Sequence, residues 1–150
     1  MKKLERYKRI AKQLEDLFKK TDDLHARMAT TCALLHHKFP YYFWTGFYSL
    51  IEGELTVQTY QGPVACLVLK KDVGACWAVI NAKKSIIIAD VDKFPGHIAC
   101  DSRSKSEIVL PLYKNNEIVA VLDIDSKELN SFDEEDREGL ELILKLITSI

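Results

Sequence analysis

The stretch Ser106-Glu107-Ile108-Val109-Leu110-Pro111-Leu112-Tyr113-Lys114-Asn115-Asn116-Glu117-Ile118-Val119-Ala120-Val121-Leu122-Asp123-Ile124-Asp125 decides the fold. Two runs rich in β-branched and aromatic residues flank Lys114-Asn115-Asn116, and asparagine tolerates the positive φ that a tight hairpin turn demands. Strands are therefore predicted over 106–113 and 117–125. In the second, Asp123 and Asp125 alternate with Leu122 and Ile124, so a period of two places both carboxylates on one face, opposite the apolar pair.

Upstream, a second hairpin reads from Phe43-Trp44-Thr45-Gly46-Phe47-Tyr48 through the Glu52-Gly53 turn into Leu55 to Tyr60. Further strands are predicted at 65–70 and 85–89. Before the hairpins, Leu4, Tyr7, Ala11, Leu14 and Phe18 recur at helical spacing, which predicts a helix over about 3–19. Thr21-Asp22-Asp23 reads as a stop and a new N-cap. Leu24, Met28, Cys32, Leu35 and Phe39 then carry a second helix to Pro40. At the other end, Ser131-Phe132-Asp133-Glu134 has the form of a capping box, and Leu140, Ile143, Leu144 and Ile147 supply the stripe of a closing helix. Helices segregated at the ends of a meander with short hairpin links predict an α+β protein with an antiparallel sheet rather than a doubly wound parallel one.

The composition agrees with an ordinary globular chain. The 150 residues suffice for one domain, and 47% hydrophobic and 29% charged residues with 6 Gly and 4 Pro exclude disordered, collagen-like and disulfide-scaffold classes. The organisation predicted is a single domain over 1–150, with helices in 1–40 and the sheet, a long loop and the last helix in 41–150. The net charge of -1 leaves no global basic field for nucleic acid or an anionic membrane. Residues 1–20 nonetheless carry eight Lys/Arg against three acids, and 117–141 carry ten acids against Lys127 and Arg137, which reads as two oppositely charged solvated surfaces. The chain has no run of 18 apolar residues and no secretory h-region at its start, so a cytoplasmic location is expected. There, four cysteines are packing residues, ligands or redox groups rather than structural disulfides.

Residues 90–105 form a long, poorly periodic stretch between two strands, the kind that carries function. Cys100 lies in it, three residues after His97 and beside Asp101, Arg103 and Lys105, where positive charge would favour a thiolate. It is the best nucleophile candidate, with a small packed residue beneath Ile98 as the alternative. Cys66 and Cys76 complete a useful set of thiols, since one sulfur can attack while another resolves the oxidised product. Cys32 falls on the apolar stripe of the second helix and reads as core, while His25, His36 and His37 read as surface. A zinc site from Cys66, Cys76, His97 and Cys100 would need two short paired-ligand knuckles, and only His97-x-x-Cys100 qualifies, so no metal is expected. The second constellation is Glu107, Asp123 and Asp125, carboxylates suited to holding an ammonium group or sharing a proton, or simply a wet strand face. Trp44 and Tyr48 share one strand face and suit an apolar wall or core packing.

Pro95-Gly96-His97-Ile98-Ala99-Cys100-Asp101-Ser102, Ser104-Lys105-Ser106-Glu107-Ile108-Val109-Leu110-Pro111 and Val121-Leu122-Asp123-Ile124-Asp125-Ser126 together resemble the free methionine-(R)-sulfoxide reductases, stand-alone GAF-domain enzymes. Trp44-x-Gly46-Phe47-Tyr48, Gln61-Gly62-x-x-Ala65-Cys66 and Phe132-Asp133-x-x-Asp136 match in order, so the resemblance covers nearly everything beyond about residue 20. It implies a GAF-like central antiparallel sheet of about six strands, with N- and C-terminal helices packed on one face. Cys100 then matches the cysteine that attacks the sulfoxide sulfur, and Cys66 the resolving cysteine of a Cys66–Cys100 disulfide that thioredoxin reduces. Cys76 matches a third cysteine, an alternative partner or relay. Glu107, Asp123 and Asp125 match substrate-binding acids, Glu107 also serving as proton donor, and Trp44 and Tyr48 match the wall around the S-methyl group. The expected partners are free methionine-(R)-sulfoxide, thioredoxin and a second copy in a homodimer, with no cofactor. In Gly74-Ala75-Cys76-Trp77-Ala78-Val79, read as a turn, Trp77 stands where the family has a small residue, and the indole is expected to redirect the loop or cover the pocket. Two other readings use the same residues: a GAF module that binds a small ligand without chemistry, and a thiol redox sensor.

Overall fold

At the 114–117 turn, Lys114 pairs with Glu117, and Asn115 and Asn116 take φ of 53° and 65°. The computed structural model describes residues 2–97 and 100–149. The hairpin joins β5 (Ser106–Lys114) to β6 (Glu117–Ser126), and β6 pairs antiparallel on its other side with β1 (Trp44–Ile51). β1 turns through Glu52 and Gly53, with φ of 51° and 80°, into β2 (Glu54–Gln61). Short edge strands β3 (Val68–Leu69) and β4 (Ile86–Ile88) complete a six-stranded antiparallel sheet of order β3-β2-β1-β6-β5-β4. These edges are shorter than the 65–70 and 85–89 predicted, because apolar runs outlast the residues that find a ladder partner.

The period of two sorts the sheet into unlike faces. Phe47, Leu122, Ile124, Ile108, Leu110 and Leu112 point to one side and form a large core with α1 (Lys3–Phe18), α2 (Leu24–Lys38) and α4 (Glu134–Ile147). Asp23 caps α2 by accepting from the Ala26 N–H at 2.8 Å. The cap of α4 corrects the expectation at Ser131. Asp133 is the N-cap and exchanges hydrogen bonds with Asp136, whose carboxylate accepts from the Asp133 N–H at 2.8 Å. Ser131 instead meets the Ser126 hydroxyl at 2.7 Å. No helix among the described residues is long and apolar enough to cross a membrane.

The opposite face carries Trp44, Tyr48, Val109, Val121 and Ile88, covered by α3 (Gly74–Ala82). The segment read as a turn is therefore a helix, and the sheet has helices on both sides. Its nine residues are almost all apolar and lack the amphipathic alternation that marks a surface helix, so periodicity did not reveal it. Trp77, 4% exposed, is packed inside this second core with its Nε1 unpartnered, and it does not line the pocket described below. The expectation that the indole covers the pocket is thus overturned. Between β4 and β5, a 3-10 turn at Val91–Lys93 opens the long loop. Ile98, the residue invoked above Cys100, lies outside the described residues.

Candidate active site

Strand register alone assembles the floor of the site. Across β4, β5, β6 and β1, Ile88, Glu107, Asp125 and Trp44 stand in one row, and Val109, Asp123 and Gly46 in the next. The side chains of these residues, Gly46 having none, project toward α3, which contributes Cys76. Residues 62–67 and, after β4, residues 90–97 and 100–105 flank the mouth, where Cys66 and Cys100 are joined in a disulfide with Cα atoms 5.6 Å apart. Phe43, Trp44, Tyr48, Ala65, Cys76, His97, Cys100, Ser104, Glu107, Asp123 and Asp125 are among the residues lining the resulting cavity, whose volume is about 50 Å³. The thiols of Cys32 and Cys76 are free and buried. Cys32 sits in the helical core, as its helical spacing implied, with its sulfur 3.7 Å from the Thr59 carbonyl.

The aromatic wall depends on an absent side chain. Trp44 stacks on Tyr48 at 5.7 Å and on Tyr60 at 5.2 Å between centroids. A Cβ on Gly46 would lie 2.5 Å from both the Trp44 ring and the Tyr60 Cβ, so only glycine lets the indole lie flat over the strand. The Trp44 Nε1–H donates to the Pro63 carbonyl at 3.0 Å and ties the wall to the loop that carries Cys66. Gly62 makes that approach with φ of 121°.

Electrostatics at the floor follow from burying three acids together. Glu107 and Asp123 are each 6% exposed and Asp125 is half-buried. Burial first, and then the negative charges of Asp123 and Asp125, hold Glu107 well above the ordinary carboxylate range. Three acids buried together favour a shared proton, and Glu107, which stands opposite Asp125 in the strand register, is placed to hold it. Asp125 is also pushed well up, by burial and the charge of Asp123, against the restraining hydrogen bond of Glu107 and that of the Ser104 hydroxyl. Burial raises Asp123 too, while hydrogen bonds from Glu107 and the Cys76 thiol and the field of His97 oppose the shift. Oδ1 of Asp123 is buried and has no hydrogen-bond partner among the described residues. Burial and the neighbouring acids keep the Cys76 thiol protonated by raising it well above its usual value.

Several sequence expectations change here. Arg103 does not serve Cys100: its guanidinium is paired with Asp101 at 2.6 Å and lies 4.9 Å over the Phe43 ring. The zinc set of Cys66, Cys76, His97 and Cys100 is not assembled, since two of its sulfurs are joined to each other. The donor atoms that do cluster are those of Cys76, Glu107 and Asp123, all within 4.8 Å of one another. His36 is half-buried and its Nδ1 lies 3.0 Å from the Thr45 hydroxyl, whereas His25 and His37 are exposed. Tyr60 and Ser104 were not singled out from the sequence. Ser104 stands in a quoted motif and was legible there, but the Tyr60 stack depends on a cross-strand register that no local pattern reveals.

A small-molecule pocket on one face of a six-stranded antiparallel sheet, closed by a helix and two loops, defines a GAF domain. The family model described as GAF domain matches residues 22–150. GAF domain-containing protein A of Dictyostelium discoideum is 47% identical over 146 residues, covering 97% of this chain and 92% of that protein. The free methionine-R-sulfoxide reductase of Escherichia coli is 36% identical over 150 residues, covering 100% of this chain and 91% of that protein. The X-ray structure of free methionine-R-sulfoxide reductase from Neisseria meningitidis in complex with its substrate superimposes with a TM-score of 0.94 at 35% identity, covering 99% of this chain and 89% of that one. The chain belongs to the GAF-domain family and, within it, to the family of the free methionine-R-sulfoxide reductases.

Proposed function

We propose that this protein reduces free methionine-(R)-sulfoxide to methionine with Cys100 as nucleophile, Cys66 as resolving thiol and a dithiol protein, thioredoxin, as final reductant. The observation that carries the reading is the Cys66–Cys100 disulfide at the mouth of a pocket whose floor is acidic and whose wall is aromatic. In the reduced state the Cys100 thiolate attacks the sulfoxide sulfur while the protonated Glu107 carboxyl donates to the sulfoxide oxygen. Methionine leaves, and the oxygen stays on Cys100 as a sulfenic acid. The Cys66 thiol displaces it as water, forming the disulfide. Two thiols of the reductant restore both cysteines and are themselves oxidised.

Selectivity for the free amino acid follows from the floor. Asp123 and Asp125 face the position of an α-ammonium, which inside a polypeptide is an uncharged amide, and Trp44 and Tyr48 accept the S-methyl group. Cys76, buried on the helix behind Asp123, acts as a relay thiol only when movement of α3 or the loop brings it to the others.

The test follows separate R and S epimers of free methionine sulfoxide with a thioredoxin recycling system, for wild type and Cys100→Ser. Loss of the R epimer alone, abolished in the variant, is expected. Binding of the sulfoxide without turnover would favour a ligand-binding GAF module, and consumption of peroxide in its place would favour a redox sensor.

A further inference from the structure

We propose that the pocket floor is also a binding site for one soft divalent cation, zinc(II) being the ion its donors fit, held by Cys76, Glu107 and Asp123. The three come from three different elements, α3, β5 and β6, and each is at least nine-tenths buried. Their donor atoms lie within 4.8 Å of one another, and among the described residues no other such group of three occurs. Tetrahedral zinc, with bonds of about 2.0–2.3 Å, sets its ligands roughly 3.3–3.8 Å apart, so a contraction of about an ångström completes the site. All three residues also line the cavity, which leaves the fourth tetrahedral position open to it.

The donor chemistry selects the ion. One sulfur with two carboxylates suits zinc or cadmium, whereas magnesium and calcium take oxygen-only sets. A second feature points to a cation: Oδ1 of Asp123 is buried and has no hydrogen-bond partner among the described residues. The α-ammonium of the substrate would claim the Asp123 carboxylate as well, a competition that rests on the function proposed above. Metal binding at Cys76 would then oppose substrate binding without touching Cys66 or Cys100.

Cadmium(II) added to the oxidised protein is the direct probe, because the disulfide leaves only the Cys32 and Cys76 thiols free. One equivalent is expected to give an ultraviolet cadmium–thiolate charge-transfer band that zinc(II) abolishes by displacement. Cys76→Ser should lose the band and Cys32→Ser keep it, while Asp123→Asn, which retains the thiol, should weaken binding at least tenfold. Absence of the band in folded wild type, its survival in Cys76→Ser, or an unchanged affinity in Asp123→Asn would overturn the site. A Cys66→Ser Cys100→Ser double variant separates the two readings. Cadmium binding that free methionine-(R)-sulfoxide displaces supports both, and cadmium binding that it fails to displace leaves the metal site standing and counts against the proposed substrate.

Discussion

At the scale of a single residue, Glu107 stands opposite Asp125 in the strand register, and burial beside two aspartates holds its carboxyl well above the ordinary range. A carboxyl raised in the folded state stabilises the protein most below its ordinary value of 4.5, and that contribution is lost as pH rises toward the folded value. Glu107→Gln does not titrate, so its melting temperature is expected to gain on wild type as pH increases from 4 to 8. Parallel thermal melts with a constant difference would contradict this. In the proposed mechanism the same proton serves turnover, so kcat should fall in the variant and the basic limb of its pH–rate profile should flatten. Asp125→Ala is expected to raise KM at least tenfold and more than it lowers kcat, and steady-state kinetics with an unchanged KM would defeat that role. Individual pocket-lining residues were legible from the sequence where the pattern is local. The alternation of Asp123 with Ile124 and Asp125 announced a shared face, and Cys100 stood out in its loop. Tyr60 and the Cys76–Asp123 proximity were not legible, because each joins distant segments through packing.

Elements hold these residues in place, and the decisive choices there are small. Gly46 leaves room on β1 for the Trp44 ring, and Ala at this position would meet that ring and Tyr60 at 2.5 Å. Gly46→Ala should cost about 1–3 kcal/mol by overpacking and lower kcat/KM through a displaced wall. Chemical denaturation and kinetics read both effects, and a variant matching wild type would contradict the packing argument. Hairpins were readable because Asn115-Asn116 and Glu52-Gly53 are turn sequences with positive φ. α3 was hidden because an apolar helix between sheet and loops has no polar stripe to set its period. The closing helix showed its length but disguised its cap, since Ser131, Asp133 and Asp136 each offer a plausible capping oxygen and only packing selects Asp133.

The whole molecule is joined behind the sheet by two buried polar anchors. Asp136, fully buried, accepts from Tyr7 at 2.6 Å, Tyr41 at 2.5 Å and Lys3 at 2.8 Å, which binds α1 and the approach to β1 onto α4. Arg27 donates to the carbonyls of Phe18 at 3.0 Å, Thr21 at 2.8 Å, Ile147 at 3.1 Å and Ser149 at 2.6 Å, so one guanidinium serves the C-terminal ends of α1 and α4. Arg27→Met, which keeps the aliphatic stem, is expected to destabilise by about 2–3 kcal/mol and lower Tm by roughly 5–10 °C, with activity at low temperature retained. A shift of under about 2 °C would show that water replaces these bonds. The helical layer thus bears stability while the opposite face carries the candidate site, a division that the segregation of apolar and acidic positions on β5 and β6 already foreshadowed.

The central claim is tested most directly in a single turnover without reductant. Fully reduced protein is mixed with one equivalent of free methionine-(R)-sulfoxide, and methionine and the cysteine state of every peptide are measured by mass spectrometry. One methionine per chain, loss of two hydrogens and a Cys66–Cys100 peptide are expected, with the S epimer inert. Methionine formed by Cys100→Ser, or formed by wild type with Cys100 still reduced, would contradict it.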